Sequence, residues 1–219
     1  MTTSSPLRTS AAETTVDTLI AEAAEWRLIE LLFECPSAEW RAHIAALGEE
    51  VQDPELRSAA KLAAEAGAEG TFHSLFGAGG PAPPREASYQ RTLALGNLIA
   101  EVKSFYDAFG WAPVSSEPLD HVSVEAGFIG FLKLKQAFAL TCGAGEEASI
   151  AEEAARDFLG QHLVWVAEPL SASLEMAGEP YLELAGKALL QRVGPRPKDV
   201  FNILDEAAED DGVFECGDT

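Results

Sequence analysis

Between positions 117 and 125 the chain sets Glu117, Pro118, Asp120, His121 and Glu125 directly ahead of its most apolar helical run. An imidazole among three carboxylates could do acid–base work, hold a metal ion, or meet a cationic ligand. Acid–base catalysis would need a nucleophile or a cofactor beside them, and the sequence offers neither. There is no Gly-x-Ser-x-Gly turn and no His-Glu-x-x-His, and the glycines at 77–80 lack the Lys-Ser/Thr pair of a phosphate loop. His121, Glu125, His162 and Cys142 match no known metal-ligand spacing, so neither metal nor cofactor is expected. The same block has a structural reading. With Glu117 as N-cap, Pro118 takes the first helical position and Asp120 lies near the positive end of the helix dipole. His121 and Glu125 then pair one turn apart. Capping accounts for Pro118 well, for Asp120 in part, and for His121 not at all.

The elements that must position these residues are all helical. Apolar spacing predicts a first helix from Val16 to Leu32, broken at Cys35-Pro36, and Ser37 caps a second carrying Trp40, Ile44 and Leu47. Asp53-Pro54 starts a third, which Gly67 stops, and Glu69 to Phe76 forms a shorter fourth. Gly77 to Pro84 is the strongest loop signal. Leu93 to Phe109 resumes the pattern and Gly110 closes it. The helix of the opening block should reach Thr141. Ser149 and Glu152 read as a capping box for a helix to Val166, Pro169 opens another, and Glu179-Pro180 opens one to Val193. No period-two alternation is long enough for a strand. The expectation is an all-α bundle of about ten helices in two lobes. Its parts are a disordered leader (1–14), an N-terminal lobe (15–110), a junction or hinge (111–117), a C-terminal lobe (118–193) and a partly disordered acidic tail (194–219), with one short helix near Val200.

Charge and cysteines narrow the function. Thirty-six acids against fifteen bases give −21, which argues against nucleic acid or an anionic membrane as partner. No segment reads as a signal peptide or a membrane span, and Cys35, Cys142 and Cys216 are odd in number and far apart. That is a reduced, cytoplasmic pattern rather than a disulfide or zinc framework. Helices with acids and aromatics near their junctions could offer an apolar groove with an acidic rim, suited to a peptide that is both apolar and basic. Most aromatics at helical spacing, such as Phe128, Phe131, Phe138, Phe158 and Trp165, are expected in the core.

Four segments in order resemble the TorD/DmsD/NarJ-type chaperones that mature molybdenum oxidoreductases. The first is Leu75-Phe76-Gly77 with Pro84-Arg85-Glu86-Ala87-Ser88-Tyr89, where Ala87 intrudes between the acid and the serine. The others are Phe105 to Gly110, the block Glu117-Pro118-Leu119-Asp120-His121 with Glu125, and Phe158-Leu159-Gly160-Gln161-His162-Leu163-Val164-Trp165. The resemblance covers about Val16 to Leu190. It implies a protein that works by binding rather than by catalysis. Its partner would be a molybdopterin-dependent catalytic subunit, held through its twin-arginine leader or apo form in the cytoplasm until cofactor insertion. The residues it puts forward for peptide binding are Glu117, Pro118, Asp120, His121, Glu125, Trp111, Phe109, Gly110 and Tyr89, with Phe76, Glu86, His162 and Trp165 second. A monomer or a dimer swapped at 111–117 would fit. A helical adaptor without leader recognition, or a nucleotide-binding or hydrolytic protein using His121, stays open on the residues alone.

Overall fold

The computed structural model describes residues 6–90 and 93–197, and within them the chain is all-α. The elements are α1 (Pro6–Leu32), α2 (Ala38–Glu50), α3 (Pro54–Ala66), α4 (Glu69–Phe76), α5 (Leu95–Ala108), α6 (Val122–Thr141), α7 (Gly145–Phe158), α8 (Val164–Ala177) and α9 (Pro180–Val193). The local start signals act as the residue types demand. Ser37 accepts the Trp40 amide at 3.1 Å, and Asp53 accepts those of Glu55 and Leu56 at 2.8 and 3.1 Å. Pro180 opens α9.

Four expectations need correction. α6 begins at Val122 with His121 as its N-cap, so Glu117, Pro118 and Asp120 lie ahead of the helix. α7 begins at Gly145, with Glu146 and Glu147 at its positive end, and Ser149 and Glu152 stand inside it. Pro169 lies inside α8 rather than opening a helix, because a π-turn over Leu159–Leu163 carries α7 directly into α8. Part of the stretch read as a disordered leader is helical, since α1 runs back to Pro6. The short helix expected near Val200 lies outside the described residues.

α1 runs along α6, and α3 packs against α9. The halves expected to stand as two lobes therefore interleave. A single apolar core joins Leu28, Ile29 and Phe33 of α1 to Phe128 and Ile129 of α6, Phe158 of α7 and Leu182 and Leu189 of α9. Arg192 of α9 reinforces the arrangement by reaching Glu25 of α1 at 2.9 Å and Asp53 at 2.8 Å. α1 and α6 can approach closely because α6 carries Gly127 and Gly130 at the contact. A Cβ on Gly130 would stand 3.4 Å from the Ala23 carbonyl oxygen, and one on Gly127 would run into the Glu30 carboxyl group.

Candidate functional site: a buried anchor beneath an acidic groove

Two short segments build the first part of the site. Residues 84–86 and 120–122 pair antiparallel, with the Glu86 amide on the Asp120 carbonyl at 2.9 Å and the Val122 amide on the Pro84 carbonyl at 2.8 Å. This pairing competes with helix formation at 118–121, which is why α6 starts four residues later than its proline suggests. Asp120 then turns inward. Its Oδ1 accepts Arg85 Nε and Nη2 at 2.9 and 2.8 Å, and its Oδ2 accepts the Ala87 amide at 3.2 Å. His121 is also buried, and its Nδ1 accepts the Ser123 amide at 3.2 Å, capping α6. That role puts the neutral ring's proton on Nε2, which lies 4.0 Å from Glu117 Oε2. Burial pushes the imidazole down to about 4, with the Arg85 cation adding to this and Asp120 opposing it.

Beneath this pairing lies a second buried group. Glu86 accepts Gln90 Nε2 at 2.7 Å and faces His162 Nδ1 at 3.1 Å. The π-turn aims His162 inward from between α7 and α8, with Phe158 and Phe105 against its ring. Among the described residues, no donor from a side chain or amide reaches either oxygen of Glu125, which is wholly buried. Burial foremost, then the Glu86 and Asp120 carboxyls beside it, raises its pKa well above the ordinary carboxylate range. A neutral Glu125 is itself a donor, and its partner is Glu86. Tyr106 completes the layer by donating to the Leu119 carbonyl at 3.0 Å.

Five of the residues singled out by sequence thus fall into one connected network: Asp120, His121, Glu125, Glu86 and His162. Being buried, they present no surface to a ligand. Tyr89 supports the same loop by donating to the Pro83 carbonyl at 2.8 Å. The pairing expected between His121 and Glu125 is absent, because the cap turns the imidazole toward Ser123 instead. Phe76 packs on Phe33 in the core, and Trp165 lies under the Arg196 guanidinium, so neither joins the network.

The surface part of the site lies next to it. A groove of about 480 Å³ opens between α1, the 111–115 segment and α6. Gly110, at a φ of +63°, turns the chain out of α5 so that Trp111 leans on Tyr106 and Phe128. Trp111, Val114, Phe131 and Leu134 supply its apolar lining, and Arg27, Glu30 and Glu34 its charges. Val114 is fully exposed, and Phe138, one turn beyond Leu134, carries the apolar strip outward along α6 and is no core residue. Phe109 sits at the edge, where Lys135 caps its carbonyl at 3.0 Å. Arg27 pairs with Glu30. Glu34 rises to about 7, first through burial and then through the negative charge of Glu30 and Glu117, with Arg27 opposing. Glu117, half-buried, lies near enough to Glu34 to act on it, whereas Pro118 is exposed beside it.

The sequence reading missed Glu30 and Glu34. Their signal was available, since Glu30 interrupts the apolar run Leu28 to Phe33 and Glu34, four residues on, ends it.

Among the described residues no helix is long and apolar enough to cross a membrane. Comparison with the curated proteins gives no match. The family model described as nitrate reductase delta subunit matches residues 35–169, from the turn after α1 into α8, and so takes in both layers of the buried network. With more than half of its length matched, the chain belongs to that family, the NarJ/TorD-type chaperones of molybdoenzyme maturation.

Proposed function

We propose that this chaperone binds the twin-arginine leader of a molybdopterin-containing catalytic subunit in the groove between α1 and α6, and holds that subunit in the cytoplasm until its cofactor is inserted. One observation carries the reading: the groove sets two carboxyl groups, Glu30 and Glu34, against one arginine, Arg27, over an apolar floor, with the Glu117 carboxylate near enough to Glu34 to act on it. Glu34, raised by burial and by the negative charge of its neighbours, is short of positive charge. An arginine pair supplies it through charge-assisted hydrogen bonds. The apolar segment that follows such a pair would lie on Trp111, Phe131, Leu134 and Phe138. Most of the affinity should come from that apolar contact, with the acids giving selectivity and rapid encounter.

In this reading Asp120, His121, Glu125, Glu86 and His162 are positioning residues. They hold the 111–121 segment so that Trp111 forms one wall of the groove and Glu117 stays near Glu34. Trp111, Glu117, Phe131 and Leu134 fall within the family match, whereas Glu30 of α1 and Glu34 just after it precede it.

The test is calorimetry with a synthetic leader peptide and its Arg-pair-to-Gln-pair variant. The native peptide should bind at least tenfold more tightly, and Glu30→Gln with Glu34→Gln should erase most of that preference. Equal binding of the two peptides would sink leader recognition and leave an adaptor for the apo subunit. Co-purification with a molybdopterin-dependent subunit during co-expression tests the client class separately.

A further inference from the structure

Just past the groove residue Glu34, Cys35, Glu69 and His73 bring sulfur, oxygen and nitrogen donors to one spot. A ligand atom from each lies within 4.8 Å of the other two. Cys35 Sγ is 3.9 Å from His73 Nε2, and His73 Nε2 is 3.6 Å from Glu69 Oε1. We propose that Cys35, His73 and Glu69 form a binding site for a zinc-type divalent transition ion, with its fourth position open to solvent.

The spacing is that of a tetrahedral site. Zinc bonds of about 2.3 Å to sulfur and about 2.0–2.1 Å to nitrogen or oxygen put neighbouring ligand atoms roughly 3.3–3.8 Å apart. The Cys35–His73 and His73–Glu69 separations lie at or within a few tenths of an ångström of this, and the third, within 4.8 Å, closes by a turn of the exposed Glu69 side chain. Glu69 and His73 stand one turn apart on the solvent face of α4, and helical register alone would make them neighbours. No such register places Cys35 there, 38 positions away, and its presence turns an ordinary surface ion pair into a three-donor set.

Both sides of the site are held from below. Cys35 lies between the buried Phe33 and Pro36. α4 rests on Phe72, Leu75 and Phe76, and the Phe76 ring meets that of Phe33 at 6.2 Å. An ion would therefore find its ligands largely placed and would clamp α4 to the end of α1. One thiol, one imidazole and one carboxylate suit a borderline-soft ion and exclude magnesium and calcium, which take oxygen ligands. Without an ion, burial and the nearby Glu69 and Glu117 carboxyl groups keep Cys35 in its thiol form. A bound dication reverses that balance, and the thiol gives up its proton to become a ligand.

Cobalt(II) titration of the untagged full-length chain tests the site. A single equivalent should bring up a thiolate-to-metal charge-transfer band with visible bands of tetrahedral intensity. Zn²⁺ should abolish them and Mg²⁺ should not. Cys35→Ser should remove the charge-transfer band, and His73→Asn should weaken binding at least tenfold, both at unchanged helix content. The double variant Cys142→Ser with Cys216→Ser should keep the band. Zn²⁺ should raise the Tm of the wild type and leave that of Cys35→Ser where it was. A band that survives Cys35→Ser, that vanishes in the Cys142/Cys216 variant, or that never forms at a single equivalent overturns the proposal.

Discussion

Arg85 delivers two N–H groups to one oxygen of Asp120, at 2.9 and 2.8 Å, and that contact fastens the loop after α4 to the turn before α6. Asp120 is wholly buried, while the Arg85 side chain keeps 36% of its surface exposed. The pair is therefore unequal. Removing the arginine strands a buried charge, and removing the acid releases a cation that can reach water. Arg85→Ala should cost about 3 kcal/mol and Asp120→Asn about 2 kcal/mol, with the double variant well short of the sum. Urea unfolding midpoints check this. The peptide affinity of the fraction that stays folded should fall as well, since this contact holds the segment that carries Trp111.

Glu125 titrates in the direction opposite to most acids. Its carboxyl is held neutral in the fold, whereas in the unfolded chain it ionises as an ordinary glutamate does. The folded state thus binds more protons once pH passes the unfolded value, and stability falls as pH rises from there. Glu125→Gln keeps the shape and the donor toward Glu86 but removes that dependence. It should raise the Tm at neutral pH, with the gap over wild type widening as pH rises above the ordinary glutamate range and closing near pH 4. Scanning calorimetry across that range decides it, and a gap that does not vary with pH would mean Glu125 is ionised in the fold.

His121 works on the acid side. Its folded value is about 4 against about 6.5 when unfolded, so between those limits the unfolded chain binds the extra proton. Its contribution is intact above pH 6.5 and is lost as pH falls toward 4, by about 3 kcal/mol across the window. His121→Asn keeps an N-cap acceptor and removes the titration. The variant should hold its stability from pH 6.5 to 4.5 better than wild type, as read by circular-dichroism melts at half-unit steps.

How much of this was legible in the sequence depends on the range of the interaction. The caps at Ser37 and Asp53 and the start at Pro180 were readable because each is settled within four residues. The start of α6 was misplaced because Pro118 and Asp120 satisfy a local helix signal that the pairing with 84–86 overrides. Pro169 misled in the same way, since a π-turn upstream had already delivered a helix to it. Glu86 and His162 were picked out as residues but not as partners, for they meet only when α7 and α8 close on the 84–90 loop. The groove was foreseen as a type of surface. Two of its acids were missed because Glu30, within α1, and Glu34, just past its end, meet the groove only once α6 packs alongside.

Gly127 links fold and groove most directly. A Cβ there would lie 2.6–2.8 Å from the carboxyl atoms of Glu30, which is closer than side-chain atoms come. The obstacle is the end of a flexible side chain, so the fold can yield by turning Glu30 aside. Replacing a mid-helix glycine with alanine favours the helix by about 1 kcal/mol, which offsets the lost Arg27–Glu30 geometry. Gly127→Ala should therefore leave the Tm within a few degrees of wild type. It should still weaken the arginine-containing leader peptide several-fold, because Glu30 no longer faces the groove beside Glu34. The Gln-pair peptide, which makes no use of the carboxylates, should bind the variant as it binds the wild type. That contrast separates two roles for the glycine. If both peptides weaken alike, Gly127 only sets the spacing of α1 and α6. If the arginine peptide alone weakens, Gly127 is what keeps Glu30 available to it.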